Sequence, residues 1–166
     1  MHDVKPTAGL SKADAYLELS GQLAALIAGE RNGVANAANL SALLFGLPDV
    51  NWAGFYFLQG GELVVGPFQG RVACVRIAVG RGVCGTAARL RETIIVPDVD
   101  AFPGHIACDS ASRSEIVVPL IQEGRLLGVL DVDSPKLGRF DREDAVGLTA
   151  AAELFLKGSD LGRLVA

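Results

Sequence analysis

The chain has 166 residues, half of them apolar, and its mean hydropathy is +0.36. This composition predicts one compact domain over residues 1–166, with room for a core and a single site. The 15 basic and 19 acidic residues give a net charge of −4, without a basic block that could follow a phosphate backbone. We therefore do not expect nucleic-acid binding.

The first residues lack the basic and then apolar layout of a signal peptide. No apolar run reaches the roughly 18 residues that a membrane span requires. We therefore expect a soluble, cytoplasmic protein. In that compartment three cysteines argue against a structural disulfide framework, because cytosolic disulfides are usually transient, catalytic or redox-sensing.

The first half of the chain predicts two helices followed by a hairpin. An amphipathic helix is expected over 11–28, with a serine at its N-cap and a glycine after its end. A second helix is expected over 34–45, where glycine and then proline follow as stop signals. The apolar period then changes to two over 52–58 and 62–65, and Gly60-Gly61 supplies the turn.

The second half predicts more strands, a short helix and a closing helix. In chain order these are a strand at 72–79, a helix at 83–91, a strand at 93–96, a hairpin of 115–121 with 125–132, and a helix at 141–156. Residues 98–114 have no clean period and form one long loop, a kind of segment that is often functional. Together these elements predict an α+β fold with a central, mostly antiparallel sheet flanked by helices and a long site-bearing loop.

The last hairpin suggests a cluster of acids. Residues 122–124 fit a three-residue loop, and counting back along that register places Glu115 opposite Asp131. Asp133 shares their face because strand side chains alternate. Repulsion and desolvation raise the pKa of such a group, so one member could hold a proton while ionised neighbours bind an ammonium. Alternatively, Asp131 and Asp133 lie where the strand ends and are either solvated or cap the turn at Ser134-Pro135.

The three thiols have different local settings. Cys84 lies in the first turn of a predicted helix, where the helix dipole would lower its pKa. Cys108 lies in the long loop, three residues after His105, whose imidazolium would also favour a thiolate. Cys74 lies inside the predicted strand 72–79 and is expected to be the most buried of the three thiols, where a small apolar core role is the commonest one.

Two other interpretations of these residues are weaker. A zinc site would use three thiols and one imidazole, those of Cys74, Cys84, Cys108 and His105. The spacing lacks the paired short knuckles of structural zinc sites, so we predict no metal. The glycine pattern over 80–85 matches a dinucleotide fingerprint, but no βαβ unit accompanies it and we treat the match as accidental.

Seven short segments carry a family resemblance: 51–56, 66–70, 73–77, 80–86, 104–109, 114–117 and 128–134. Together they closely resemble the signature segments of the free methionine-(R)-sulfoxide reductases, a family of single GAF domains. The resemblance covers most of residues 11–157, and all three cysteines and all three acids agree with the family pattern. It implies a GAF-like fold.

The resemblance also implies a reaction. Free L-methionine-(R)-sulfoxide would be reduced to L-methionine without a bound cofactor, using electrons from thioredoxin. Cys108 would attack the sulfoxide sulfur and become a sulfenic acid. Cys84 or Cys74 would resolve that acid as an intramolecular disulfide, which thioredoxin reopens.

The resemblance assigns the remaining site residues to substrate. Glu115, Asp131 and Asp133 would protonate the sulfoxide oxygen and bind the ammonium, with the division of these tasks left open. Trp52 and Tyr56 lie four apart on one strand face and would line the pocket around the S-methyl group, unless they are ordinary core aromatics. A homodimer is the expected assembly. The alternative function is a GAF-type small-molecule or redox sensor without catalysis.

Overall fold

The structure, a computed structural model, describes residues 5–106, 110–162, 164 and 165. The strands are β1 (Trp52–Gln59), β2 (Glu62–Gly70), β3 (Arg76–Ala78), β4 (Ile94–Val96), β5 (Ser114–Gln122) and β6 (Arg125–Ser134). The helices are α1 (Lys12–Ile27), α2 (Gly33–Phe45), α3 (Gly82–Leu90) and α4 (Arg142–Gly158), with a 3-10 turn at Val99–Ala101. The six strands form one sheet in the order β3-β2-β1-β6-β5-β4, in which adjacent strands are antiparallel. The predicted α+β fold is confirmed.

Helices cover both faces of the sheet, and the two faces have different contents. On one face, α2 and α4 pack over apolar side chains such as Phe55, Ile116 and Leu130, and α1 packs against these two helices. On the other face, α3 packs over a smaller cluster that includes Trp52 and Tyr56. Because successive strand residues point to opposite faces, the large core stabilises the sheet while the α3 face is left for a site. Among the described residues, no helix is both long and apolar enough to span a membrane.

A buried carboxylate joins the first and last helices. Asp144 has no exposed side-chain surface and accepts hydrogen bonds from Tyr16 Oη at 2.9 Å and Arg139 Nη1 at 2.9 Å. Lys12 of α1 forms an ion pair with the same carboxylate. Asp144 also completes a capping box with Asp141 at the start of α4. These partners satisfy a buried charge that would otherwise be strongly destabilising.

The β5–β6 hairpin differs from its predicted register in two places. Its turn has two residues, Glu123 and Gly124, which both have positive φ (51° and 75°), as a type I′ turn requires. The strand pairing then shifts once more between Leu120 and Ile121. Each deviation moves the register by one residue, so the predicted pairing of Glu115 with Asp131 is wrong: Glu115 pairs with Asp133. Two single shifts preserve which face each side chain occupies.

The segment before α3 also differs from prediction. Only 76–78 of the predicted strand 72–79 forms β3, and residues 71–75 are an irregular connection. The preceding strand, β2, instead continues to Gly70, beyond the predicted end at Val65. Cys74 therefore lies outside any strand and is half-buried, so its expected role as the most buried thiol is wrong.

Candidate active site

Three carboxylates lie on the α3 face of the sheet. Glu115 of β5 is opposite Asp133 of β6, and Asp131 lies one row further along, opposite Val117. Glu115 and Asp131 are each only 7% exposed, whereas Asp133 is half-buried. The acids thus share one face, as the alternation predicts, and the alternative of a solvated side chain does not hold for Asp131.

The neighbouring strand places aromatic rings beside these acids. Trp52 of β1 pairs with Asp133, and Gly54 pairs with Asp131. The Trp52 ring lies against both Tyr56 and Phe68, with centroids 5.9 and 5.2 Å away. A Cβ on Gly54 would lie 2.3 Å from Phe68 Cβ and 2.8 Å from Trp52 Cη2. Glycine at this position therefore allows the indole to lie close over the strand.

Cys84 is the thiol that contacts the acids. It is the third residue of α3, and its Sγ lies 3.8 Å from Glu115 Oε1. Burial raises the pKa of the Cys84 thiol well above its usual range, and the charges of Asp131 and Glu115 raise it further. The expectation that the helix terminus lowers this pKa is wrong, because desolvation and nearby anions outweigh the helix dipole.

The buried acids hold protons more tightly than ordinary carboxyls. Burial raises the pKa of Glu115 well above its usual range, and the neighbouring charges of Asp131 and Asp133 add to the shift. Burial also raises the pKa of Asp131 to about 7, while hydrogen bonds with Cys84 and Glu115 oppose the rise. Within the described residues, Asp131 Oδ1 is buried without a hydrogen-bond partner. The cluster therefore retains a proton at neutral pH.

His105 approaches the acids from the long loop. Its Nε2 lies 3.8 Å from Glu115 Oε2, and its side chain is 16% exposed. Burial lowers the pKa of His105, although the charge of Asp100 opposes that shift. The sequence associated this histidine with Cys108 and with the zinc ligand set, and not with Glu115, because that contact depends on the three-dimensional packing of the long loop.

The three cysteines differ in their bonding state or in whether the structure describes them. Cys74 is disulfide-bonded, whereas Cys84 is a free thiol. Cys108, the predicted nucleophile, lies outside the described residues. The zinc ligand set considered from sequence does not assemble with Cys74 in this state, because a disulfide sulfur is not a thiolate ligand.

A pocket opens over the acids, with an empty volume of about 500 Å³ that includes its open mouth. Its lining includes the predicted residues Trp52, Tyr56, Cys84, Glu115, Asp131 and Asp133. Sequence reasoning missed two polar lining residues, Arg81 and Ser112. Arg81 is the N-cap residue of α3, where no side chain caps the free N–H groups. A cation at an uncapped helix N-terminus favours the binding of an anion. The position of Arg81 just before a predicted helix was therefore the sequence signal that could have identified it.

One group of potential metal ligands lies in the same place. Possible ligand atoms of Cys84, Glu115 and Asp131 lie within 4.8 Å of one another. Among the described residues, this is the group of three or more such side chains that could hold a metal ion. Thiolate and carboxylate are suitable zinc ligands only when deprotonated. Their raised pKa values favour the protonated forms, so the prediction of no metal stays a prediction.

Comparison with known proteins places this pocket in a family. The GAF domain model matches residues 17–155. The free methionine-R-sulfoxide reductase of Escherichia coli is 54% identical over 140 residues, covering 84% of this chain and 85% of the relative. The chain belongs to the free methionine-R-sulfoxide reductase family of GAF domains. The predicted family resemblance is confirmed.

Two further members of this family support the same placement. The free methionine-R-sulfoxide reductase of Saccharomyces cerevisiae is 45% identical over 163 residues, covering 93% of this chain and 91% of the relative. The X-ray structure of the Neisseria meningitidis free methionine-R-sulfoxide reductase in complex with its substrate has a TM-score of 0.91 and 47% identity, covering 95% of each chain. The similarity thus extends over nearly the whole fold, including the elements that form the pocket.

Proposed function

We propose that this chain is a thiol-dependent reductase that converts free L-methionine-(R)-sulfoxide to L-methionine. The observation that carries the proposal is a pair of buried carboxyls with raised pKa values, those of Glu115 and Asp131, in a pocket that Trp52 and Cys84 also line. A sulfoxide is a poor electrophile until its oxygen is protonated, and a buried carboxylic acid supplies that proton at neutral pH. The family's named activity agrees with this chemistry.

The pocket lining contains charges of both signs, which fit the two charged groups of a free amino acid. Asp133 is the least buried of the three acids and would bind the α-ammonium. Arg81 and the uncapped N-terminus of α3 would bind the α-carboxylate. A peptide-bound methionine sulfoxide has neither charge, so this division explains a requirement for the free amino acid. The S-methyl group would then lie against Trp52.

Glu115 is the proton donor in this proposal. It contacts both Cys84 and His105, and its pKa is held well above the ordinary range. After Glu115 protonates the sulfoxide oxygen, it is left as a carboxylate that must regain a proton. His105 touches Glu115 and is partly exposed, so its imidazole would carry a proton from solvent back to the buried acid.

The thiol steps use the other two cysteines. The Cys108 thiolate would attack the sulfoxide sulfur, and the protonated oxygen would pass to Cys108 as a sulfenic acid while methionine leaves. The Cys74 thiol would then attack the sulfenic sulfur, forming a disulfide and releasing water. The disulfide state of Cys74 and the free, buried state of Cys84 favour Cys74 over Cys84 as the resolving thiol. Thioredoxin would return the two electrons.

The assay is NADPH consumption with thioredoxin and thioredoxin reductase. We expect turnover of free methionine-R-sulfoxide but not of the S epimer or of a peptide-bound sulfoxide. Cys108→Ser should abolish turnover while retaining substrate binding. If the reduced protein binds the sulfoxide without converting it, the pocket is that of a small-molecule sensor and the proposal is refuted.

Two further parts of the proposal concern where and how the protein works. We propose a cytoplasmic enzyme, because thioredoxin is kept reduced in that compartment. We also propose a homodimer, following the family resemblance. Sedimentation equilibrium of the reduced protein would measure the assembly, and a monomer at micromolar concentration would contradict it.

A further inference from the structure

The connection between β2 and β3 holds Cys74 on a fixed stretch of backbone. At one end, Trp52 Nε1 donates a hydrogen bond to the carbonyl of Arg71 at 3.1 Å. At the other end, the N–H of Val65 donates to the carbonyl of Val75 at 3.0 Å. Residues 71–75 therefore have no regular structure but are anchored on both sides, so their outward side chains form a defined surface.

That surface is apolar in an unusual place. Val72 is 86% exposed, more than any other large hydrophobic residue that the structure describes, and Val75 is 64% exposed. Between them, Ala73 lines the substrate pocket and Cys74 carries its disulfide. Two solvated valines beside a disulfide at the edge of a pocket suggest a surface that is covered during the catalytic cycle.

The charge of the segment that carries this surface is opposite to that of the whole protein. Residues 71–81 contain three arginines and no acidic residue, although the chain has a net charge of −4. Arg71 and Arg81 are exposed, and Arg76 forms an ion pair with Glu62 across the sheet edge. A partner with an apolar contact surface and an acidic rim would match this arrangement.

We propose that residues 71–76, with Val72 and Val75 at the centre, are the docking surface for a dithiol protein that reduces the Cys74 disulfide. The proposal rests on the proposed function, because turnover must generate that disulfide. Reduction requires a thiolate to approach a disulfide sulfur closely, so the reductant must cover the residues on either side of Cys74. An acidic rim on the reductant would speed the encounter and make it depend on salt.

The electron transfer balances on this surface. A thiolate of the reductant bonds to Cys74 Sγ and breaks the disulfide, and the other sulfur leaves as a thiolate that takes up a proton. The second thiol of the reductant then attacks the mixed disulfide, loses its proton and releases Cys74 as a thiolate. Two electrons pass to the enzyme, and the reductant leaves as a disulfide.

The experiment compares a protein reductant with a small one. Val72→Ser combined with Val75→Ser should raise the KM for thioredoxin at least tenfold. Dithiothreitol is too small to need the surface, so the same variant should keep its dithiothreitol-driven rate and its KM for the sulfoxide. Val146→Ser on α4 is the matched control, because Val146 is 65% exposed on another element, and it should change neither reaction.

Three results would overturn the proposal. The double variant could keep the wild-type KM for thioredoxin, or it could lose both reactions equally. It could also change the sedimentation coefficient of the reduced protein, in which case the surface is an interface between copies of the chain. The proposed function fails separately, because wild-type protein would then show no turnover even with dithiothreitol. Raising the salt concentration should increase the wild-type KM for thioredoxin, and an unchanged KM would contradict the acidic rim.

Discussion

Replacing Asp131 by asparagine should make the protein more stable at alkaline pH while impairing the site. Asp131 is buried beside Glu115 and Cys84, and its pKa is raised from 3.8 to about 7. Between these two pH values the native state keeps a proton that the unfolded state has lost. The free energy of unfolding of the wild type therefore falls as pH rises through this window. Asparagine cannot ionise, so the variant lacks this loss.

The size of the effect follows from the shift. A rise from 3.8 to about 7 corresponds to roughly 4 kcal/mol at full deprotonation, because a tenfold change in proton affinity is worth about 1.36 kcal/mol. Between pH 5 and pH 8, the difference between variant and wild type should change by roughly 2 to 3 kcal/mol, because part of the window lies below pH 5. With a urea m value of about 2 kcal/mol/M, the midpoint difference should move by about 1 M. The variant also relieves Glu115, which acts in the same direction.

The assay is urea unfolding of both proteins under reducing conditions at pH 5, 6, 7 and 8. Asp141→Asn provides the control, because hydrogen bonding with Lys12 lowers the pKa of Asp141, which is then ionised in both the native and the unfolded state from pH 5 to pH 8. Its carboxylate therefore stabilises the fold equally at all four pH values, so the deficit of that variant should stay constant from pH 5 to pH 8. A stability difference for Asp131→Asn that does not vary from pH 5 to pH 8 would refute the reasoning.

Three further predictions concern other contacts. Cys84 should resist iodoacetamide in the native reduced protein at pH 8 and react after unfolding, because its thiol is buried and its pKa is raised. Peptide mapping by mass spectrometry would detect the labelling, and native labelling at the rate of a free cysteine would contradict the prediction. Gly54→Ala should lower stability by roughly 1 to 3 kcal/mol and raise the KM for the sulfoxide, because its Cβ would collide with Phe68 and with the Trp52 ring. An unchanged KM in steady-state assays would be the opposing result. Asp144→Ala should lower the free energy of unfolding in urea by roughly 3 to 5 kcal/mol, since it leaves Arg139 without its buried partner. A decrease below about 1 kcal/mol would show that the contacts of Asp144 are dispensable for stability.

Face assignments were the most predictable part of the site. The sequence places Glu115, Asp131 and Asp133 on one face because alternation depends only on parity. The exact partner of Glu115 was not predictable, since it depends on a type I′ turn and on one irregular pairing near Gly128. Two shifts of one residue each leave every side chain on its predicted face. The predicted face of Glu115 is therefore correct, whereas its predicted partner is wrong.

Thiol environments were the least predictable part. The apolar pattern around Cys74 suggested a strand, but β3 begins at Arg76 and leaves the thiol half-buried. For Cys84, the first turn of a helix suggested a lowered pKa, because the approach of Glu115 and Asp131 from the sheet is a long-range contact. Local sequence patterns predict the helix and the strands. The charges next to the Cys84 sulfur depend on how α3 packs onto β5 and β6, which local patterns do not predict.

The most direct test of the proposed enzyme is a single turnover without any reductant. Fully reduced protein would be mixed with excess free methionine-R-sulfoxide, and both methionine and remaining thiols would be counted. We predict one methionine per chain and a fall from three thiols to one, with Cys84 as the remaining thiol and Cys74 in the new disulfide. No methionine, or the loss of Cys84 in place of Cys74, would contradict the proposal.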